Sequence, residues 1–105
     1  MVKLDPKEHH MKVWPEFFDL IDRGVKNFEV RSEDDRTFEV DDWVVLYEYN
    51  PNDSSYSGRM LVRKIGYILR GEPFVKEKWA ILDLKHNSAC RYKHHLLVIE
   101  GRSRP

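Results

Sequence analysis

The hydrophobic pattern of this chain changes its period at Gly24, and this change constrains the fold more than any other feature. Before the glycine, Phe17, Leu20 and Ile21 recur at i, i+3 and i+4, which is the spacing of one face of an α-helix. After it, residues 26–31 alternate between apolar and polar side chains, as in a β-strand. The sequence therefore predicts a helix that is followed by strands.

The predicted helix is short and has a boundary signal at each end. Pro15 suits the first helical position, because the backbone N–H that proline lacks has no partner there. Glu16 complements the positive end of the helix dipole, and Gly24 is a typical C-terminal stop. Phe18 flanks the apolar face. A helix of about nine residues is marginal by itself, so we expect it to pack on a sheet.

The rest of the pattern predicts strands at short spacing, separated by turn residues. We predict strands at residues 9–14, 26–31, 43–49, 58–69 and 79–84, the last buried on both faces, and one more short strand at 96–99. One early helix followed by five to six strands indicates an α+β fold, a small β-barrel or strongly curled sheet. The N-terminal helix would lie at one end or edge of it.

The formal charge is zero, but the charges are segregated along the sequence. The chain has 18 basic and 18 acidic residues. Residues 16–53 carry twelve acids against four bases, and residues 59–105 carry eleven bases against four acids. This pattern excludes a uniformly basic nucleic-acid-binding coat, and it leaves open whether the segregation survives folding.

Length and composition are those of one soluble domain. The 105 residues are 34% charged and 41% hydrophobic. The single cysteine, Cys90, cannot form an internal disulfide, which suits a reducing compartment. No secretion signal is visible at the N-terminus, and no apolar run approaches the length of a membrane span. We expect a cytoplasmic monomer without a membrane partner.

The segment from Gly24 to Arg31 resembles the G-x-K-x-x-E-x-R signature of ASCH domains, which are small β-barrels of the PUA-like superfamily. Flanking residues resemble the DUF3850 subgroup: His9, Lys12, Pro15, Phe18, Asp35-Arg36-Thr37-Phe38, Val40, Asp42, Glu48-Tyr49-Asn50-Pro51 and Tyr56-Ser57-Gly58-Arg59. The resemblance covers residues 9–84, which we expect to form the barrel domain. We expect residues 85–105 to form a basic C-terminal extension, which consists of one strand and a tail.

One turn departs from the subgroup, which usually has glycine where this chain has Asp41. The turn must therefore accept a side chain. Aspartate enters the left-handed backbone region more readily than most residues, so the turn can still form.

The resemblance implies a cleft between helix and barrel that binds RNA or a modified nucleoside, without a cofactor. Some small ASCH members are amidohydrolases of N4-acylated cytidine, with a lysine, a threonine two residues before the signature arginine and a distant carboxylate. Lys26 and Arg31 match the lysine and the arginine, whereas Glu29 stands at the threonine position. No residue can be matched to the distant carboxylate. The enzyme is therefore the alternative, with Lys26 and Glu29 as its catalytic residues.

The residue chemistry supports a ligand-binding site at Lys26, Glu29 and Arg31. Glu29 and Arg31 share a strand face and can pair, and arginine binds phosphate bidentately while glutamate accepts from an exocyclic amine. As a plain surface ion pair they would contribute under about 1 kcal/mol. Trp14 at the strand–helix junction is the best candidate to stack on a base, worth about 1–3 kcal/mol. His9 matches a family position and can hydrogen-bond within the cleft.

Two further features of the sequence bear on function. Zinc needs three or four converging ligands, and adjacent histidines such as His9-His10 and His94-His95 point to opposite strand faces, so we expect no metal. The basic extension, with five bases against one acid over Lys85–Arg104, could contact phosphates. Together with the acidic loop at residues 33–35, it leaves a third hypothesis, a protein-interaction module without a nucleotide site.

Overall fold

The computed structural model describes residues 5–85, which form one helix and five strands. They are β1 (Glu8–Val13), α1 (Pro15–Asp22), β2 (Phe28–Ser32), β3 (Trp43–Asn50), β4 (Ser55–Leu69) and β5 (Trp79–Lys85). All the elements predicted within this range are present, with small shifts of their ends. Lys85, the first residue of the predicted extension, ends β5; the strand predicted at residues 96–99 and the rest of the extension lie outside the described residues. Within residues 5–85, no helix is long and apolar enough to cross a membrane.

The five strands form one sheet with the order β1-β3-β4-β5-β2. β1 lies parallel to β3, and the other neighbouring strands are antiparallel. The sheet curls into a half-barrel, so that its two edge strands approach each other: Nη2 of Arg31 on β2 donates to the backbone carbonyl of Lys12 on β1 at 2.7 Å. The fold is therefore α+β and barrel-like, with an open seam between β1 and β2.

The core lies between the helix and one face of the sheet. It is formed by Met11, Val13, Phe18, Ile21, Phe38, Val44, Leu46, Ile65, Ala80, Leu82 and Leu84. A smaller cluster of Val45, Tyr47 and Val62 covers the opposite face of β3 and β4. Strand β3, which lies between β1 and β4, is therefore buried on both faces. The prediction of two buried faces for residues 79–84 is wrong, since β5 alternates between buried and more exposed side chains.

Helix α1 packs against β3 with a slightly different face from the one predicted. Phe18 and Ile21 are fully buried, whereas Phe17 is exposed. The positions i and i+3 beginning at Phe18 are therefore the core face, and Phe17 lies on the neighbouring face. The predicted face, which begins at Phe17, and the observed face, which begins at Phe18, are offset by one residue. In a helix of only eight residues, the hydrophobic spacing does not determine which of the two faces is buried.

Strand β2 keeps the predicted alternation but turns its polar face inward. Phe28 and Val30 are 46% and 47% exposed, and Glu29 between them is buried. Burial of a carboxylate is unfavourable unless it is paired. Glu29 contacts two cations, Lys26 and Arg31, which explains how this strand tolerates a polar inner face.

The turn before β3 is organised by a buried carboxylate. Asp41 has a φ of 76°, which confirms the expected left-handed residue. The neighbouring Asp42 is fully buried and accepts hydrogen bonds from the backbone N–H of Lys7 and Glu39 and from Nε2 of His9. This network ties the beginning of β1 to the beginning of β3.

The charge segregation of the sequence is partly cancelled in the fold. Arg70 at the end of β4 donates to both carboxylate oxygens of Glu33, at 2.6 and 2.8 Å. Arg59 on the same strand lies 3.1 Å from Asp22 and 3.6 Å from Glu48. Bases of the second half therefore neutralise acids of the first half.

Candidate functional site

A pocket of about 310 Å³ lies at the seam between β1 and β2, beside the start of α1. It is lined by Lys12, Val13, Trp14, Phe17, Lys26, Glu29, Val30 and Arg31. Four of the five predicted ligand-binding residues, Trp14, Lys26, Glu29 and Arg31, therefore meet in one place. The volume is at the lower end of the range of roughly 300–1,000 Å³ that small-molecule sites occupy.

The aromatic wall of the pocket follows from the junction between β1 and α1. Trp14 precedes Pro15, and a residue before proline avoids the helical region, so Trp14 stays extended at a φ of −64° and a ψ of 151°. Its ring is 50% exposed and stacks against Phe17, three residues later, at 6.2 Å between ring centroids. The two rings form a partly solvated apolar wall of the pocket.

The charged side of the pocket is a carboxylate held between two cations. Oε1 of Glu29 accepts a 2.6 Å hydrogen bond from Nζ of Lys26. Oε2 accepts from Nε of Arg31 at 2.9 Å, and Nη2 of the same arginine lies at 2.8 Å. The Glu29 side chain is only 6% exposed, so this is not the weak surface ion pair that spacing alone would suggest.

Both cations are also anchored to the backbone. Nζ of Lys26 donates to the carbonyl of Phe28 at 2.7 Å and lies over its ring, and Nη2 of Arg31 donates to the carbonyl of Lys12. Within the described part of the chain, one N–H of Lys26 and both N–H groups on Nη1 of Arg31 make no hydrogen bond. The site therefore holds its cations in place and keeps donors for a ligand.

The structure does not bring His9 to this pocket. Its ring is buried, donates to Asp42 at 2.8 Å and packs edge-on against Phe38 at 4.7 Å between centroids. The β1 residues that line the pocket, Lys12 and Val13, lie three and four positions further along the strand than His9. Its place is in the network that orders the turn before β3.

Four residues that line the pocket are not predicted from the sequence as parts of a site: Lys12, Val13, Phe17 and Val30. The helical spacing predicts Phe17 on the core face of the helix, and Lys12 is part of the family resemblance alone. The i, i+3 spacing of Trp14 and Phe17 is a signal that they share a helical face. Lys12 contributes its backbone carbonyl to Arg31, and no side-chain pattern indicates such a contact.

Metal binding has no geometric support among residues 5–85, where no three His, Cys, Asp or Glu side chains converge. Cys90, His94 and His95 lie outside the described residues.

The fold and the pocket define a small α+β domain with a curled sheet and a ligand-sized site at its seam. The sequence profile of the family described as "Domain of unknown function (DUF3850)" matches residues 8–84. This match covers most of the 105 residues and runs from the start of β1 into β5, so the chain belongs to the DUF3850 family. A comparison with curated proteins found no match.

Proposed function

We propose that this protein is a PUA-like domain of the ASCH type that binds a nucleoside, free or within RNA, in the pocket at the seam. One observation carries the proposal: buried Glu29, held between Lys26 and Arg31, lies in the same pocket as the exposed ring of Trp14. A nucleobase has a flat apolar face and a polar edge. The pocket offers a matching surface for each.

The aromatic wall supports binding of a base by stacking. Trp14 is half-exposed although its ring is large and apolar, and Phe17 extends the same surface. Stacking of a base on an aromatic ring contributes about 1–3 kcal/mol and tolerates any base, since all have a π-face. This wall would therefore supply affinity.

The charged side supports recognition of the base edge. An ionised carboxylate has about four acceptor positions, and three donor contacts occupy part of those on Glu29. Glu29 can accept from an exocyclic amine, while Lys26 and Arg31 donate to a ring carbonyl or nitrogen. These groups would supply selectivity between bases.

Isothermal titration calorimetry tests the proposal with the four ribonucleosides, N4-acetylcytidine and a single-stranded RNA decamer of mixed sequence. We expect Arg31→Ala to weaken binding at least tenfold. Arg23→Ala is the matched control, because Arg23 is an exposed arginine at the C-cap of α1 that pairs with Asp19 outside the pocket. The proposal fails if wild type binds none of these probes, or if the two variants bind equally well.

A second function, hydrolysis of an N4-acylated cytidine, is favoured by the 2.6 Å contact between Nζ of Lys26 and Oε1 of Glu29. In this reaction, Glu29 takes a proton from water as the oxygen attacks the acyl carbon, and Arg31 stabilises the oxyanion. Lys26 protonates the departing amine, and the products are cytidine and a carboxylate. Chromatography after incubation with N4-acetylcytidine tests this: cytidine should form with wild type and not with Glu29→Gln. Absence of cytidine with wild type would end the hypothesis.

The hypothesis of a protein-interaction module depends on the acidic loop at residues 33–35 and on the basic extension, of which residues 86–105 lie outside the described residues. Deletion of residues 86–105 tests it. If the extension binds a partner, deletion abolishes partner capture and leaves nucleoside affinity unchanged.

A further inference from the structure

A second pocket, of about 290 Å³, adjoins the first along the edge of β1. It is lined by His10, Met11, Lys12, Arg31, Asp35, Arg36 and Phe38. Lys12 and Arg31 line both pockets, so the two lie side by side, and together we call them the groove. We call the pocket at Trp14 the base pocket and the pocket at Arg36 the edge pocket.

Most of the basic residues in an otherwise acidic stretch of sequence line the groove. Residues 16–53 contain four bases, and three of them, Lys26, Arg31 and Arg36, line the groove. They stand against the carboxylates of Glu29 and Asp35, which leaves a local net charge of +1 within a stretch of sequence whose net charge is −8. Lys12 of β1 also lines the groove, but its ammonium lies over the ring of Tyr49, 4.6 Å from the centroid. This arrangement favours an anionic ligand here and not over the surrounding surface.

The two arginines are anchored in the same way on β1. Nη2 of Arg31 donates to the carbonyl of Lys12 at 2.7 Å, and Nη1 of Arg36 donates to the carbonyl of His10 at 3.3 Å. Carbonyls two residues apart on a strand point to the same edge and lie about 6.6 Å apart. Both guanidinium groups are therefore attached to one edge at neighbouring positions.

Arg36 keeps most of its donors for a ligand. Within residues 5–85 its guanidinium makes one hydrogen bond, to His10, and one loose contact of 3.8 Å to Asp35. Asp35 is the carboxylate that would oppose an anion in the edge pocket, and its side chain is well exposed, so solvent screens its charge. Arginine donors in a planar fork bind phosphate bidentately.

We propose that the edge pocket is a phosphate subsite, in which Arg31 and Arg36 bind a phosphate attached to the nucleoside in the base pocket. The inference rests on the proposed nucleoside site and names its substrate class: the ligand is a nucleotide. The phosphate belongs either to a mononucleotide or to the backbone of an RNA strand. Both present the same anionic oxygens to the arginines, and the experiment separates them.

Calorimetric titration tests the subsite with each ribonucleoside, its 5′- and 3′-monophosphates, the corresponding dinucleotide and ribose 5-phosphate. In wild type, we expect the phosphate to raise affinity at least tenfold over the nucleoside. Arg36→Gln should reduce this gain to within twofold and leave nucleoside affinity unchanged. Arg23→Gln makes the same charge change outside both pockets and should keep the full gain. Thermal melting of each variant verifies that it is folded.

The outcomes separate the subsite from the site on which it rests. If nucleosides bind and the phosphate adds nothing, or if Arg23→Gln loses the gain as fully as Arg36→Gln, the subsite is overturned and the nucleoside site stands. If no nucleoside binds but nucleotides and ribose 5-phosphate bind equally and need Arg36, the subsite stands and the nucleoside site is overturned. If no probe binds, both fail. Tighter binding of the dinucleotide than of either monophosphate identifies an RNA strand, and the reverse identifies a mononucleotide.

Discussion

Nη2 of Arg31 donates a 2.7 Å hydrogen bond to the backbone carbonyl of Lys12, and this contact joins the two edges of the sheet. In a closed barrel, main-chain hydrogen bonds would join the edge strands. Here the long side chain of Arg31 replaces them and holds β1 and β2 farther apart. The base pocket lies in that gap, so the feature that leaves the barrel open also makes the site.

Removal of this arginine should therefore lower stability as well as binding. Arg31→Ala leaves buried Glu29 with Lys26 as its remaining cation and removes the donor to the Lys12 carbonyl. We expect a loss of about 1–3 kcal/mol in the free energy of unfolding, measured by urea denaturation. Arg31→Lys keeps the positive charge but lacks the forked guanidinium donors, so its free energy of unfolding should lie between those of wild type and Arg31→Ala. A variant as stable as wild type would contradict the role of Arg31 at the seam.

The aromatic wall gives a prediction that concerns affinity. Trp14→Ala should weaken nucleoside binding by about 1–3 kcal/mol, which is roughly 5- to 150-fold. Trp79→Ala is the matched control, because Trp79 is also partly exposed but lies on β5 and lines no part of the base pocket. Titration of the same nucleoside into both variants distinguishes stacking from a general effect of losing a tryptophan. Equal affinities would exclude Trp14 as the stacking residue.

The sequence predicted those parts of the fold that depend on local chemistry. The period change at Gly24 predicted the helix and β2. The signature predicted that Lys26, Glu29 and Arg31 lie together, and all three line one pocket. The inward orientation of Glu29 could not be predicted, because it depends on cations placed around it by tertiary contacts. The role of Phe17 was also missed, because its apolar side chain suits a core as well as a pocket wall.

Asp41 gives a prediction about backbone strain. Its φ of 76° lies in the left-handed region, which costs most L-residues about 1–2 kcal/mol. Asp41→Gly should leave the free energy of unfolding unchanged or raise it, because relief of strain offsets the greater entropy of glycine in the unfolded chain. Asp41→Val should lower it by about 1–2 kcal/mol, because a β-branched residue suits this region poorly. Thermal or urea unfolding of the two variants measures both effects, and a more stable valine variant would contradict the assignment.

The ion pair between Glu33 and Arg70 predicts how the free energy of unfolding depends on pH in the acidic range. Hydrogen bonds from the Arg70 guanidinium hold the pKa of the Glu33 carboxyl below its ordinary value of 4.5, and the Phe38 N–H contributes in the same direction. Because the folded pKa is lower than the unfolded one, the ionised carboxylate stabilises the fold fully above pH 4.5. This contribution is lost as the pH falls through the folded pKa.

Glu33→Gln should remove that acid-dependent part of the stability. At pH 7 we expect the variant to be less stable than wild type by about 1 kcal/mol, since Arg70 is partly exposed and solvent screens the pair. The difference should shrink as the pH falls below 4.5 and disappear once the pH is well below the lowered folded pKa, as measured by urea unfolding at a series of acidic pH values. Glu72→Gln makes the same charge change at an exposed position and should follow wild type. Parallel pH profiles of wild type and Glu33→Gln would show that the ion pair does not cause the acid dependence.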